Sequence, residues 1–415
     1  MEGAVKREPL ITVEEALARV LASVKHPVAE ESVTIDAANG RTLAQDIAAK
    51  RTQPPFANSA MDGYALRAAD ALAPGARLRV IGESAAGRTF FGKVAAGEAV
   101  RIFTGAPLPE GADSVLVQEL AQREGDMLIV DGKSAPQQNV RDAGLDFRDG
   151  EPLLSAGRRL SPRDIALAAA GNHSALPVRR KPRVAILATG DELVRPGEAL
   201  GPAQIVASNN FAVAGIVAAC GGEAVDLGIA RDEIHALEGA FRRAQELEAD
   251  VLITIGGASV GDYDLVQKAL VGAGLELGFW RIAMRPGKPL MQGRLGDMLV
   301  LGLPGNPVSS VVCAILFLAP LLRKLVGDPQ AGADSGEPAA LGADLAANDF
   351  RQDYLRATLA RDAAGALVAT PFAMQDSSLV KLLARADALV IRAAGAPAAT
   401  AGEACRVVRL EGFGF

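Results

Sequence analysis

The chain has 415 residues, 49% of them hydrophobic and 4% aromatic, with a formal net charge of −6; that length holds roughly two to four domains and a sizeable core, and the acidic balance argues against a general nucleic-acid surface. Three scattered cysteines (Cys220, Cys313, Cys405) and three scattered histidines (His26, His173, His235) argue against a disulfide framework, a CxxC metal site or a His-based zinc site, and fit a reducing cytoplasm. The N-terminal MEGAVKREPLIT has no apolar signal core, and the longest apolar run, VVCAILFLAPLL, is about 12 residues with a proline in it, too short to span a bilayer.

Along the chain, TVEEALARVLASV (12–24) predicts an amphipathic helix, with Thr12 and Glu15 at capping-box spacing. Residues 50–150 break into short β-like runs, RLRVIGES, AVRIFTG, SVLVQE and MLIV, separated by Gly, Pro and Asp, which predicts an all-β insert without a strong helix. SPRDIALAAAG then reads as a helix with Ser161 as N-cap, Pro162 in the first turn and Gly171 as the stop. After the basic linker PVRRKPR, strands and helices alternate from about 183 to 327. RVAILATG, EAVDLG, DVLITIGG, FWRIAM and MLVLGLPG are strands; NNFAVAGIVAAC, DEIHALEGAFRRAQEL and PVSSVVCAILFLAPLL are helices. This alternation predicts a parallel, doubly wound sheet, whose ligands bind outside the carboxyl ends of the strands. Residues 328–347 read as a Gly/Ala/Pro linker, and from 348 the chain is β-like again, in YLRATLAR, ALVATPF, ALVIR and EACRVVRL.

The loops at the predicted strand ends carry the chemistry. In TIGGASVGDYD (254–264) a strand runs into glycines and then into Asp262 and Asp264. Glycines admit a ligand close to the backbone and their N–H groups can line an anion site. Carboxylates repel anions, by about 4 kcal/mol per pair at ~4 Å and an effective dielectric of ~20, so an anion fits there only with a cation between, such as Mg²⁺ bridging a phosphate. An acidic surface turn is the other reading. Asp191 and Glu192 in ATGDEL and Asp232 in GIARDE bring five carboxylates from three strand-end loops; Asp232 reads equally as the N-cap of the next helix. In GLPGNPVSS, Pro304 and Pro307 stiffen the loop, Gly305 allows close approach, and the helix beginning at Pro307 turns its positive end to the loop. MRPGKP sets Arg285 and Lys288 on one turn, a fork and a point charge for an oxyanion, or two solvated charges. PPFANSAMDGYAL and RIFTGAPLPEGAD read as rigid turns. No G-x-G-x-x-G follows a strand and no Walker motif occurs, which argues against a dinucleotide or P-loop site.

PPFANSAMDGYA, IFTGAPLPEGADSVLVQE, ATGDELV, GIARD, IGGASVGDYD, RPGKPL and LPGNPVSS stand in this order, and the chain resembles the molybdopterin molybdenumtransferase (MoeA) family, which includes the gephyrin E domain. The resemblance covers about residues 10–325 closely and 348–415 loosely. It implies a multi-domain α/β protein: an N-terminal helical and extended domain (1–49 with 148–177), an inserted β domain (50–147), a central doubly wound, mostly parallel molybdopterin-binding α/β domain (178–328), and a C-terminal β domain (329–415). It implies that molybdate is inserted into adenylylated molybdopterin with release of AMP, with Mg²⁺ or a similar cation, in a cytoplasmic homodimer that involves neither nucleic acid nor membrane. Asp264, Asp262, Asp232 and Glu192 would be catalytic and hold the cation. Thr189, Gly190, Gly256, Gly257, Ser259, Pro304, Gly305, Asn306, Pro307 and Ser309 would bind the substrate, with Asn58, Ser59, Thr104 and Asp146 contributed by the partner subunit. Arg285, Lys288, Arg356 and Ser377 would take molybdate. Two departures stand out: Ala57 replaces an acid common in FDNSAMDGYA, and Arg285 replaces a common lysine. The alternatives are a molybdopterin adenylyltransferase, or a paralogue that is catalytically altered, uses tungstate or acts as a scaffold.

Overall fold

A computed structural model describes residues 10–257 and 265–413. Close packing divides the chain into two units, one of residues 32–39 and 45–176, the other of the remainder.

In the first unit, the short runs of the insert pair into one six-stranded sheet. Its order is Ser114–Val117, Gly63–Leu66, Glu98–Ile102, Arg77–Ser84, Met127–Val130, Ala121–Glu124. Alternation does the sorting: in Arg77–Ser84, Leu78 and Val80 turn into a core with Leu66, Leu116, Leu128 and Val130, while Arg77 and Arg79 face outward. The described helical turns between 50 and 147 are three-residue 3₁₀ segments. The helix Pro162–Ala170 starts as its sequence predicts, with a reciprocal cap between Ser161 and Asp164.

In the second unit, Thr12 Oγ1 accepts the Glu15 N–H at 3.1 Å and opens the helix Val13–Ala22, but the Glu15 carboxylate pairs with Arg19 at 2.5 Å instead of closing a capping box. The central sheet comprises β1 (Arg183–Thr189), β2 (Glu223–Ala230), β3 (Val251–Ile255), β4 (Glu276–Trp280), β5 (Met291–Leu295) and β6 (Met298–Leu303), in the order β2-β1-β3-β6-β5-β4. The pairs from β2 to β6 are parallel, and both pairs made by β5 are antiparallel. Successive residues of β3 serve opposite faces. Val251, Ile253 and Ile255 pack toward the helices Asn209–Ala219 and Pro307–Cys313; Leu252 packs toward Ile234–Glu246 and Leu265–Gly272. Each such fully buried side chain contributes about 1.5–3 kcal/mol.

Three expectations change. FWRIAM is not one strand: β4 ends at Trp280, Arg281 turns the chain at φ +100°, and only Met284–Arg285 is extended again. The segment 328–347 is not all linker. Gly336–Leu341 is a strand, antiparallel to Ala404–Arg409 and parallel to Leu367–Pro371, within a sheet that closes where Gln352–Arg361 meets Ala388–Arg392. The apolar run after Pro307 extends to a 19-residue helical stretch, Pro307–Leu325, long and apolar enough by composition to cross a bilayer. Because 78% of its most apolar window is buried in the protein, it is the core helix of this unit. Its Ala314–Leu318 turn is π-helical, just ahead of Pro320, which has no N–H to give.

Candidate functional site

Parallel pairing of β2, β1, β3 and β6 sends the loops that follow them to one edge of the sheet. Gly190 follows β1, Asp232 lies just past β2, Gly256 and Gly257 follow β3, and Pro304–Pro307 follow β6. Backbone, not side chain, dominates this edge. Gly256 (φ +100°) and Gly257 (φ +63°) hold left-handed conformations, and a Cβ on Gly256 would stand 2.6 Å from the Thr189 carbonyl oxygen. Gly256 donates its N–H to Leu303 O at 3.2 Å, and Gly305 is exposed beside it, its Cβ direction meeting Gly256 Cα at 3.5 Å. Asn209 Nδ2 donates to Gly305 O at 2.8 Å. Thr189, Pro304 and Ser309 are buried and Pro307 half-buried, so Gly305 and Asn306 form the open part of the GLPGNPVSS loop.

Asp191, Glu192 and Asp232 are exposed at the same edge. Asp232 N–H donates to Asp191 Oδ1 at 3.3 Å. Partial desolvation, and then the charges of Asp191 and Glu192, push the Asp232 carboxyl above its ordinary value. Asp232 is not a helix cap: Glu233 occupies that position and makes no side-chain cap bond. Asp262, Asp264 and Ser259 lie outside the described residues. Among the described residues, no group of three or more acidic, His or Cys side chains could hold a metal ion. The donors nevertheless suit Mg²⁺, a hard cation that takes one or two carboxylates and completes its shell with water and substrate phosphates. Desolvation first, and then repulsion from Asp191 and Glu192, raise Asp232, and a cation there would offset the repulsive part.

The turn Arg285–Lys288 packs on the core helix, with a Cβ on Gly287 set to meet Cys313 Sγ at 2.6 Å. Its two cations differ. Arg285 Nε donates to both oxygens of Asp353 at 3.0 and 3.1 Å and its NH2 to Asn348 Oδ1 at 3.3 Å. Lys288, half-buried, has no ion-pair partner among the described residues. Arg356 is 1% exposed; its guanidinium donates to Gln375 Oε1 at 3.1 and 3.0 Å and to Asp376 O at 2.7 Å. Burial pulls its pKa down, and the nearby Asp376 charge pushes it back up. Arg356 thus holds the loop that carries Ser377. Ser377 reaches the strand-edge loop directly: its Oγ accepts from Asn306 Nδ2 at 3.0 Å and its carbonyl from Val308 N at 3.0 Å.

In the first unit three motif segments lie side by side. Ser59 exchanges backbone bonds with Gly105 and Ala106, at 2.8 and 3.0 Å, and Asn58–Ser59 pairs with Val140–Arg141. Thr104 gives its N–H (2.8 Å) and hydroxyl (2.7 Å) to Asp62, which lowers the Asp62 pKa. Asn58 is buried, its Oδ1 without a hydrogen-bond partner among the described residues, Ser59 is buried, and Asp146 is exposed in the following loop.

The sequence reading missed Trp280 and Arg281. β4 runs parallel to β6, so both residues sit at the same carboxyl edge. The Arg281 guanidinium lies 4.3 Å from the Trp280 ring centroid, and Arg281 Nε and Trp280 Nε1 are buried without hydrogen-bond partners among the described residues. A Trp-Arg pair read as strand interior carries no functional signal; the positive φ that marks it is a tertiary feature.

Fold and site define a multi-domain α/β protein whose ligand edge is glycine backbone, clustered carboxylates and a helix N-terminus. Residues 11–171 match the MoeA N-terminal region (domain I and II), 185–324 a probable molybdopterin binding domain, and 338–410 the MoeA C-terminal region (domain IV). The chain is 38% identical over 322 residues to a molybdopterin molybdenumtransferase of Haemophilus influenzae, covering 77% of this chain and 79% of that one. It is 34% identical to the protein of that name from Bacillus subtilis over 97% of this chain and 94% of that one. The crystal structure of a molybdopterin biosynthesis MoeA protein from a Pyrococcus superposes with a TM-score of 0.83 at 32% identity, covering 97% of this chain and 99% of that one. The chain belongs to the molybdopterin molybdenumtransferase (MoeA) family of transferases.

Proposed function

We propose that this chain inserts molybdate into adenylylated molybdopterin, opening the phosphoanhydride link so that AMP leaves and molybdenum cofactor remains. The observation that carries the reading is the convergence of the Gly190, Gly256-Gly257 and Gly305-Asn306 backbones, the Asp191/Glu192/Asp232 carboxylates and the Ser377 loop at one sheet edge. Gly256, Gly257 and Gly305 admit the phosphate groups to the backbone, and the helix beginning at Pro307 turns its positive end toward them. Glu192 and Asp232, with Asp262 and Asp264, hold the divalent cation, and Asp191 sets the potential around them. Bound there, Mg²⁺ supplies charge neutralisation at the pyrophosphate. Lys288 provides the positive charge for molybdate, Ser377 contributes its hydroxyl from the loop bonded to Asn306 and Val308, and Arg356 fixes that loop. Asn58, Ser59, Thr104 and Asp146 approach from the second subunit of a cytoplasmic homodimer. Catalysis is then positioning and electrostatics. A molybdopterin adenylyltransferase is not favoured, because the chain also matches the MoeA N- and C-terminal regions.

The test is AMP release from adenylylated molybdopterin with and without molybdate and Mg²⁺. The reading expects release that needs both. A bound substrate that is never cleaved would refute it and make Ala57→Asp the first restoration to try.

A further inference from the structure

We infer that Arg285 is a positioning residue that anchors the Lys288 turn to the C-terminal β domain through Asp353, and so sets the turn from which Lys288 presents the charge proposed above for molybdate. The inference rests on the reading above. Met284–Arg285 pairs in parallel with Gln352–Asp353, and Gln352 N–H donates to Ala283 O at 2.9 Å. Within that ladder the Arg285 fork closes on Asp353, which is 3% exposed and keeps both oxygens on the guanidinium. Asn348 is held by its own Nδ2 bonds to Arg351 O, Arg392 O and Ala393 O, and turns its Oδ1 to Arg285. The remaining Arg285 nitrogen lies 3.6 Å from Asp349, which also pairs with Arg351.

The charge of Arg285 is thus met by two carboxylates, and an oxyanion reaching it would meet those carboxylates as well. Lys288, three residues on, has no such partner among the described residues. Its carbonyl accepts the N–H of Ile282 at 3.0 Å and of Leu290 at 3.2 Å, so the anchored turn fixes the backbone from which the ammonium extends. A lysine at position 285 would keep the pair with Asp353 but not the planar grip on Asp353 and Asn348 together.

The experiment compares R285Q, D353N, D353E, K288Q and R285K in the full chain. It reads the molybdate dependence of AMP release and the hydrogen exchange of the Ile282 and Leu290 amides. R285Q and D353N should each raise KM for molybdate by about tenfold or more with kcat at saturation nearly unchanged, and the double variant should be no worse than either single. Both should speed exchange at Ile282 and Leu290. R285K should fall between wild type and R285Q. K288Q should raise KM without changing exchange. If D353N does not fold, D353E, which keeps the charge and displaces it by one methylene, should still raise KM. A D353N or D353E enzyme with unchanged or tighter molybdate dependence beside a crippled R285Q would make Arg285 a direct ligand and overturn the inference. So would unchanged exchange in R285Q and D353N. Wild-type protein without molybdate-dependent release would sink the functional reading instead, and the exchange measurement would still decide the anchoring.

Discussion

Replacing Gly256 and Gly305 by alanine, one at a time, separates the fold's need for glycine from the ligand's. At Gly256 (φ +100°) an L residue adopts a strained backbone, costing about 1–3 kcal/mol. Its Cβ would stand 2.6 Å from a backbone oxygen, that of Thr189, so strands β1 and β3 must part slightly, for roughly another 1–3 kcal/mol. A total of about 2–6 kcal/mol is a large part of a typical 5–15 kcal/mol stability. It should lower Tm by about 5 °C or more. At Gly305 the backbone is not left-handed, and among the described residues the new Cβ meets only Gly256 Cα at 3.5 Å, an ordinary contact. Stability should change by about 0.5 kcal/mol or less. The Gly305 methyl nevertheless stands in the open strip proposed above for the ligand's phosphates, so KM for adenylylated molybdopterin should rise about tenfold. Thermal unfolding and steady-state AMP release on both variants make the test. A Gly256→Ala protein as stable as wild type would refute the strain argument, and a Gly305→Ala protein with wild-type KM would remove the backbone cradle.

Asp232→Asn should raise thermal stability at neutral pH while lowering AMP release. The folded protein holds the Asp232 proton more tightly than the unfolded chain, so the penalty is absent in acid and grows as pH rises through the raised folded pKa. Mg²⁺ should raise the Tm of wild type more than that of the variant; equal shifts would place the ion elsewhere. Asp349 titrates at about 2, chiefly because Arg351 hydrogen-bonds it. Its contribution is complete above the unfolded value near 4 and disappears as pH falls from about 4 to 2, so Asp349→Asn should flatten acid-induced destabilisation in that window. Arg356→Met should cost about 1–3 kcal/mol, because Asp376 O loses the guanidinium donor and Gln375 Oε1 is left with the Arg356 backbone N–H, around a side chain that is 1% exposed. Denaturant unfolding checks it, and a fully stable but inactive variant would argue that Arg356 binds the oxyanion itself.

The sequence by itself determined the local elements and the segments that matter. Short β-like runs bounded by Gly, Pro and Asp marked Arg77–Ser84 and Met127–Val130 as strands, and Ser161, Pro162 and Gly171 bounded a helix to the residue, because these signals act over a few positions. Glycines and carboxylates at successive strand ends announced a ligand edge, because parallel strands must send those ends the same way. Only the tertiary structure decided which side chains remain available there. Arg285 and Lys288 read alike as cations, until strand pairing set Asp353 against one of them. Arg356, which the resemblance names for molybdate, is shown by the structure to be 1% exposed and hydrogen-bonded to Gln375. Asp232 read equally as a cap until the helix began after Glu233. Gly336–Leu341 read as linker because its strand character comes from partners about 30 and 70 residues away. Charge pairing, burial and positive φ depend on residues distant in sequence, and these set the chemistry of the edge that the local pattern located.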